Sequence, residues 1–338
     1  MKATLYKGNK TFSVIEKDTE EPAKGEVRIK VAYSGVCGTD VHIYHGMMDK
    51  RVNMPLTIGH EMSGTIDAVG EGVSGFSVGE KVVVRPLDDR GVKASDKGFN
   101  HICEDLKFIG IDSPGSMQQY WNVPAFTLHK LKDETDLKLA ALIEPLSVAV
   151  HDVRLSGLQS DETAVVLGGG PIGLLVAMVA KETGAKVIVS EVNEKRIAKA
   201  QELGLDAVNP IQIDLIEYVK EKTENRRADV VFEVAGVQPA LDIMTEVAGI
   251  RGRIVMVAIH GQKREVDLFK FFWKELKLIG ARVYEREDYD RAIELITVNE
   301  LPFEDMITDV QPLSNIQQVF EGIDNSPDGM KVLMDCQK

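Results

Sequence analysis

The residue types able to do chemistry gather early in this chain. Gly35-Val36-Cys37-Gly38-Thr39-Asp40-Val41-His42 is followed shortly by Gly59-His60-Glu61-Met62-Ser63-Gly64. A thiolate, an imidazole and a carboxylate are the donors that zinc takes, and Cys37, His60 and Glu61 supply one of each. Thr39 and His42 are a hydroxyl and an imidazole suited to carry a proton away from whatever a metal holds. Histidine fits that task because it titrates near neutral pH, although His42 is equally the type of an ordinary surface histidine. Asp40 is placed to orient a ligand from behind.

Neighbouring side chains on a regular strand point to opposite faces. His60 and Glu61 therefore share one ion only if the backbone is irregular there. Glu144, in Ile143-Glu144-Pro145-Leu146, is the competitor. A carboxylate in so apolar a stretch needs a partner, and Pro145 is expected to hold Glu144 extended. Cys37 and His60 are the expected centre, with Glu61 and Glu144 competing for the next position. Such a set, with one position left open, is catalytic rather than structural.

A second constellation comes later. Gly168-Gly169-Gly170-Pro171-Ile172-Gly173 satisfies G-x-G-x-x-G. The match is weak alone, but it follows the apolar run Thr163-Ala164-Val165-Val166-Leu167, opens a helical pattern and sits in a strand-helix-strand unit over 163–190. Gly168 permits the tight turn, Gly170 lets a pyrophosphate approach the backbone, and Gly173 lets helix and strand pack closely. The free amides of the helix then face the phosphates. Glu191 ends the next strand, where a carboxylate accepts hydrogen bonds from an adenosine ribose and repels a 2′-phosphate, which favours NAD over NADP. Lys195 and Arg196 pull the other way, and Arg196 also fits an exposed helical charge.

Two kinds of element must hold these groups. Residues 1 to about 130 read as β structure forming a partly open barrel: 26–31 alternates polar and apolar residues, and 64–70 and 80–84 are further strands. Residues 89–103 form a polar loop, strand character returns at 117–123 and 125–130, and 136–155 reads as a helix broken by Pro145. From about 160, short apolar strands (163–167, 185–190, 207–209, 228–234, 252–259) alternate with helices (171–183, 194–203, 239–248), the pattern of a doubly wound parallel sheet. Residues 276–284 are its expected last strand. A helix over 286–298 and a strand over 331–335 close the chain.

Composition excludes some partners. The chain has 338 residues, 44% apolar and 28% charged, with net charge −13. That charge repels nucleic-acid backbones and acidic membrane surfaces, so neither is an expected partner. Three scattered cysteines, Cys37, Cys103 and Cys336, are no disulfide framework. They fit a reducing compartment, and with no signal-peptide pattern at the start the expected location is cytoplasmic.

Taken together, the motifs resemble the zinc-dependent medium-chain alcohol dehydrogenases nearly end to end. The likeness is closest to the polyol (sorbitol-like), butanediol and threonine dehydrogenase branch, where a glutamate precedes Pro-Leu as Glu144 does here. It implies an α/β chain with a GroES-like catalytic domain over 1–149 and 286–338. It also implies a Rossmann NAD-binding domain over 150–285 and an active site in the cleft between them. Cys37, His60, Glu61 and Glu144 fall on the family's metal positions and Thr39 and His42 on its proton relay. Ile172, Glu191 and Arg196 fall on its NAD positions, beside Gly168, Gly170, Pro171 and Gly173. One departure matters. Many members hold a second, structural zinc through four cysteines. Counting back from Cys103, the other slots here are Ser95, Val92 and Asp89. One thiolate and one carboxylate cannot close a tetrahedral site, so a single zinc per subunit is expected.

The implied reaction is reversible oxidation of a secondary alcohol to a ketone, the metal lowering the hydroxyl pKa and nicotinamide taking the hydride. Polyols, sugar acids, vicinal diols and threonine all present the needed carbinol. The loop over 44–51 is expected to border the substrate, with Lys50 and Arg51 available to a carboxylate or to sugar hydroxyls. The rival classes are amino-alcohol oxidation as in L-threonine 3-dehydrogenase, a zinc-free quinone or enone reductase on the same fold, and a non-enzymatic NAD-binding regulator. The family also implies a homodimer or homotetramer, with the 276–284 strand pairing across a two-fold axis.

Overall fold

Pairing begins with a hairpin, β1 (Lys2–Tyr6) and β2 (Phe12–Glu16), in a computed structural model that describes residues 1–298, 300–325 and 328–338. The alternation after Pro22 becomes β3 (Glu26–Gly35), which turns Val27, Ile29 and Val31 wholly inward. Helix α1 (Gly38–Tyr44) follows, then β4 (Glu61–Val69), β5 (Lys81–Val84), the short β6 (Leu87–Asp88) and β7 (Lys107–Phe108), β8 (Tyr120–Pro124) and β9 (Leu128–Lys130). β3 and β4 run antiparallel, with Gly35 opposite Glu61. That register brings the segment just after β3, which carries Cys37, to the segment just before β4, which carries His60. A Cβ on Gly35 would lie 2.2 Å from Glu61 Oε2, so a larger residue here would displace the Glu61 carboxylate.

The expected helix over 136–155 is two helices, α2 (Leu137–Ala140) and α3 (Ile143–Ser156). Pro145 is not the breaker. It is the third residue of α3, in the first turn, where its missing N–H costs nothing. Glu144 is therefore helical, and the extended conformation expected for it is corrected.

The chain divides into two compact units: Met1–Glu144 with Glu285–Lys338, and Pro145–Tyr284. The second is built on β10 (Thr163–Leu167), α4 (Pro171–Glu182), β11 (Lys186–Ser190), α5 (Glu194–Glu202), β12 (Asp206–Val208), α6 (Leu215–Lys222), β13 (Ala228–Glu233), α7 (Gln238–Val247), β14 (Ala248–Met256), α8 (Leu268–Lys274) and β15 (Lys277–Gly280). Its strands form one parallel sheet in the order β12-β11-β10-β13-β14-β15. The apolar runs read from sequence are its buried centre: Val165, Leu167, Ile188, Val231 and Ile254 pack on Leu241, Met244 and Val247. Each fully buried side chain of this kind contributes about 1.5–3 kcal/mol. The last strand is shorter than expected: β15 stops at Gly280, and Val283 takes the left-handed conformation at φ 50°.

The chain then returns to the first unit as α9 (Arg286–Val298), β16 (Ile307–Pro312), α10 (Ile316–Asn325) and β17 (Lys331–Asp335). β17 pairs antiparallel with β3, which completes a sheet ordered β16-β17-β3-β4-β5-β9, with β8 also on β3. The two units are thus a GroES-like barrel and a Rossmann sheet. No helix among the described residues is long and apolar enough to cross a membrane.

Candidate active site

Cys37 is the N-cap of α1. Its Sγ accepts from Thr39 N at 3.5 Å, and its own N–H donates to Asp40 Oδ2 at 2.9 Å. This reciprocal cap fixes the sulfur at the start of the helix. Sequence alone placed Cys37 in a turn; the helix that follows it was not read. Thr39 and His42, both half-buried, lie three residues apart on α1 and so share one face.

Gly59, at φ 102°, breaks strand regularity just before His60. The irregularity that His60 and Glu61 need in order to converge is therefore present. Cys37, His60 and Glu61 each offer a ligand atom within 4.8 Å of the others. Asp40, fully buried, has Oδ1 3.6 Å from His60 Nδ1, and neither atom has a hydrogen-bond partner among the described residues. Burial raises the pKa of Asp40 despite the nearby imidazole. At His60 burial works against the charged form, but the fields of Asp40 and Cys37 outweigh it and hold the pKa well above the usual value. The pocket favours positive charge, and its donors are the thiolate, imidazole and carboxylate that zinc takes. The residues fit a zinc ion. The Phe108 ring closes one side, edge-on to His60 with centroids 5.1 Å apart.

Glu61 has a second partner that sequence reading missed. Lys331, 3% exposed on β17, places Nζ 2.6 and 2.5 Å from the two oxygens of Glu61, itself 1% exposed, and also donates to Val36 O at 3.0 Å. Burial opposes a charged Lys331, yet Glu61 and Cys37 keep its pKa above normal. Glu144, 5% exposed in the first turn of α3, adds to the negative field at both His60 and Lys331 but lies outside the 4.8 Å group.

In the second unit Gly168 takes φ 111° and packs on Ala235, where an added Cβ would lie 3.0 Å from the backbone nitrogen. A Cβ on Gly173 would meet Gly168 O at 1.9 Å. Gly170 is the N-cap of α4, Pro171 its first residue and Ile172 the next, half-buried. Glu191, 7% exposed, accepts Gly169 N at 2.8 Å through Oε2 and Val192 N and Asn193 N through Oε1, while Arg196 Nη1 stands 3.8 Å from Oε2. A side-chain-free turn with amides at a helix start and a carboxylate beside it fits a dinucleotide.

Residues 23–133 match the alcohol dehydrogenase GroES-like domain and residues 171–298 the zinc-binding dehydrogenase domain. The chain is 57% identical to the 2-dehydro-3-deoxy-L-galactonate 5-dehydrogenase of Pseudoalteromonas atlantica, over 99% of each chain. It belongs to the zinc-binding alcohol dehydrogenase family. The sorbitol dehydrogenase of Halalkalibacterium halodurans is 33% identical, over 97% of this chain and 96% of that one. The crystal structure of 2R,3R-butanediol dehydrogenase from Bacillus subtilis superposes with a TM-score of 0.90 at 30% identity, covering 99% of both chains. As a zinc-binding alcohol dehydrogenase the chain is an oxidoreductase acting on CH–OH donors, with zinc, a nicotinamide cofactor and a small-molecule substrate.

Two features set this family member's site apart from the reading of its sequence. Lys331 was missed because its partner lies 270 residues away; the available signal was a lone lysine opening the apolar strand Lys331-Val332-Leu333-Met334. Arg51, read from sequence as one of two loop cations within reach of a substrate carboxylate or as an ordinary exposed charge, is held by Asp112 through two hydrogen bonds.

Proposed function

We propose that this chain is a zinc- and NAD-dependent dehydrogenase that interconverts a secondary alcohol and its ketone, with a six-carbon polyhydroxy acid as substrate. The convergence of Cys37, His60 and Glu61 within 4.8 Å, backed by buried Asp40, carries the metal part. The sugar-acid part draws on the relative at 57% identity. Zinc, when bound, supplies a Lewis acid that lowers the pKa of the substrate hydroxyl. NAD, when bound, supplies the hydride acceptor.

The chain's own residues do the rest. Cys37 and His60 hold the metal, and Glu144 and Glu61 compete for the third place, with Lys331 drawing Glu61 away. Asp40 faces His60 Nδ1 at 3.6 Å, and its charge would orient the ring so that the other nitrogen is left for the metal. Thr39 takes the hydroxyl proton and His42, on the same face of α1, hands it to solvent. Gly168, Gly170, Pro171, Ile172 and Gly173 cradle the pyrophosphate. Glu191 takes the adenosine ribose and favours NAD over NADP, with Arg196 alongside.

One zinc per chain is proposed because the 89–105 loop spends its acidic groups internally. Asp89 pairs with Arg85 at 3.0 Å, Asp105 with Lys93 at 2.8 Å, and Asp96 caps Lys93 N. A homodimer is proposed because β15 is the edge of its sheet and α8 beside it exposes Leu268, Phe269, Phe272 and Trp273. The cytoplasm is proposed as its location, on the three free cysteines.

The deciding experiment is a steady-state assay of zinc-loaded protein with NAD against sugar acids, polyols, diols and threonine, paired with metal analysis. One zinc per chain and NAD reduction with a six-carbon acid are expected. Turnover of no secondary alcohol by the zinc-loaded protein would sink the proposal.

A further inference from the structure

The loop that leaves α1 carries a guanidinium only partly used. Arg51 Nε donates to Asp112 Oδ1 at 2.7 Å and Nη2 to Asp112 Oδ2 at 2.6 Å, so Asp112 fills one edge of the planar fork. Arginine has five N–H donors. The other edge, Nη1 with the second N–H of Nη2, meets no acceptor among the described residues, and the side chain is 41% exposed. That edge has the two-donor geometry that matches a carboxylate.

Asp112 does more than hold Arg51. Its Oδ2 also accepts Phe108 N at 2.8 Å, and the Phe108 ring stands against His60. Arg51 is therefore tied, through Asp112 and Phe108, to a metal-ligand candidate. A group already fixed loses little entropy on binding. Four other cations of the same unit are committed: Lys331 to Glu61, Arg85 to Asp89, and Lys10 and His45 to Asp324. Lys50 is exposed, and a free lysine offers a point charge without a fork.

We propose that the open edge of Arg51 binds the carboxylate of the substrate and selects polyhydroxy acids over uncharged analogues. This rests on the sugar-acid reading given above. In a six-carbon acid oxidised at C5, the carboxylate carbon lies four carbon–carbon bonds from the carbinol carbon, about 5 Å when extended. Arg51 would set both which end of the substrate faces the metal and which compounds are taken.

The test compares 2-dehydro-3-deoxy-L-galactonate with its methyl ester, which keeps the skeleton and removes the charge. Wild type, Arg51→Gln and Arg51→Lys are assayed, and binding of the acid without cofactor is followed by calorimetry. Arg51→Gln should cost the acid about thirtyfold in kcat/KM, mostly through KM, and weaken its binding similarly. The ester should change less than twofold, and Arg51→Lys should fall between. Equal losses for acid and ester would show a merely structural arginine and overturn the proposal, as would no loss for either. If wild type turns over neither compound but does oxidise another alcohol, the sugar-acid reading itself fails and takes this inference with it.

Discussion

Replacing Lys331 by methionine isolates the buried ion pair beside the metal pocket. The two charges stand 2.5 Å apart with both side chains almost wholly out of water. At that distance and an effective dielectric of about 20, their attraction is about 6–7 kcal/mol, most of it offsetting the desolvation of both groups. Lys331→Met removes the attraction and leaves Glu61 buried with its desolvation cost uncompensated, which is worth about 3–5 kcal/mol. Val36 O loses its donor as well. Glu61 is then relieved either by taking up a proton or by turning to the cation that Cys37 and His60 would hold. Urea unfolding of wild type and variant, each with chelator and with excess zinc, separates the two effects. With chelator the variant should be less stable by about 3–5 kcal/mol. With zinc the gap should narrow, because a ligand that binds the native state more tightly stabilises it more. Equal stability in chelator would refute the buried-pair energetics. An identical zinc gain in both proteins would refute the idea that Lys331 restrains Glu61.

His129 gives a pH test. Burial lowers its pKa to about 4, against the pull of Asp290 at 2.7 Å. The folded state resists protonation, so its stability is complete above the unfolded value near 6.5 and declines as pH falls toward 4; between pH 7 and pH 5 the loss is about 2 kcal/mol. In urea titrations His129→Phe should flatten that part of the acid limb, and an unchanged slope would contradict it. Gly173→Ala drives a methyl into Gly168 O; NADH affinity should fall at least tenfold by calorimetry at a stability cost of about 1–3 kcal/mol, while zinc content stays the same. His42→Ala should slow turnover several-fold and retain zinc, and a rate that follows wild type across pH would remove His42 from the relay.

What sequence conveyed, and what it could not, follows from the range of the forces involved. Gly168 to Gly173 is legible because one local turn does the work: the close approach of Gly173 to Gly168 O is written in six residues. The sheet strands are legible for the same reason, since a strand buried on both faces must be apolar throughout. Helix α1 was missed because Gly38 and Thr39 are weak helix formers and its cap is a cysteine, an unusual capping residue. The rule that Pro145 extends its predecessor lost to the first turn of α3, where proline fits and Glu144 becomes helical. The third metal ligand stayed open for a different reason. Whether Glu61 is free depends on β17 pairing beside β3, an interaction across most of the chain. Local chemistry nominates Glu61, and the closing strand hands it a competing partner. The same holds for Arg51, whose free or occupied edge is decided by Asp112. At such sites the types of residue are readable from sequence, but their availability is set by tertiary pairing, and availability determines which of them can act on a metal or a substrate.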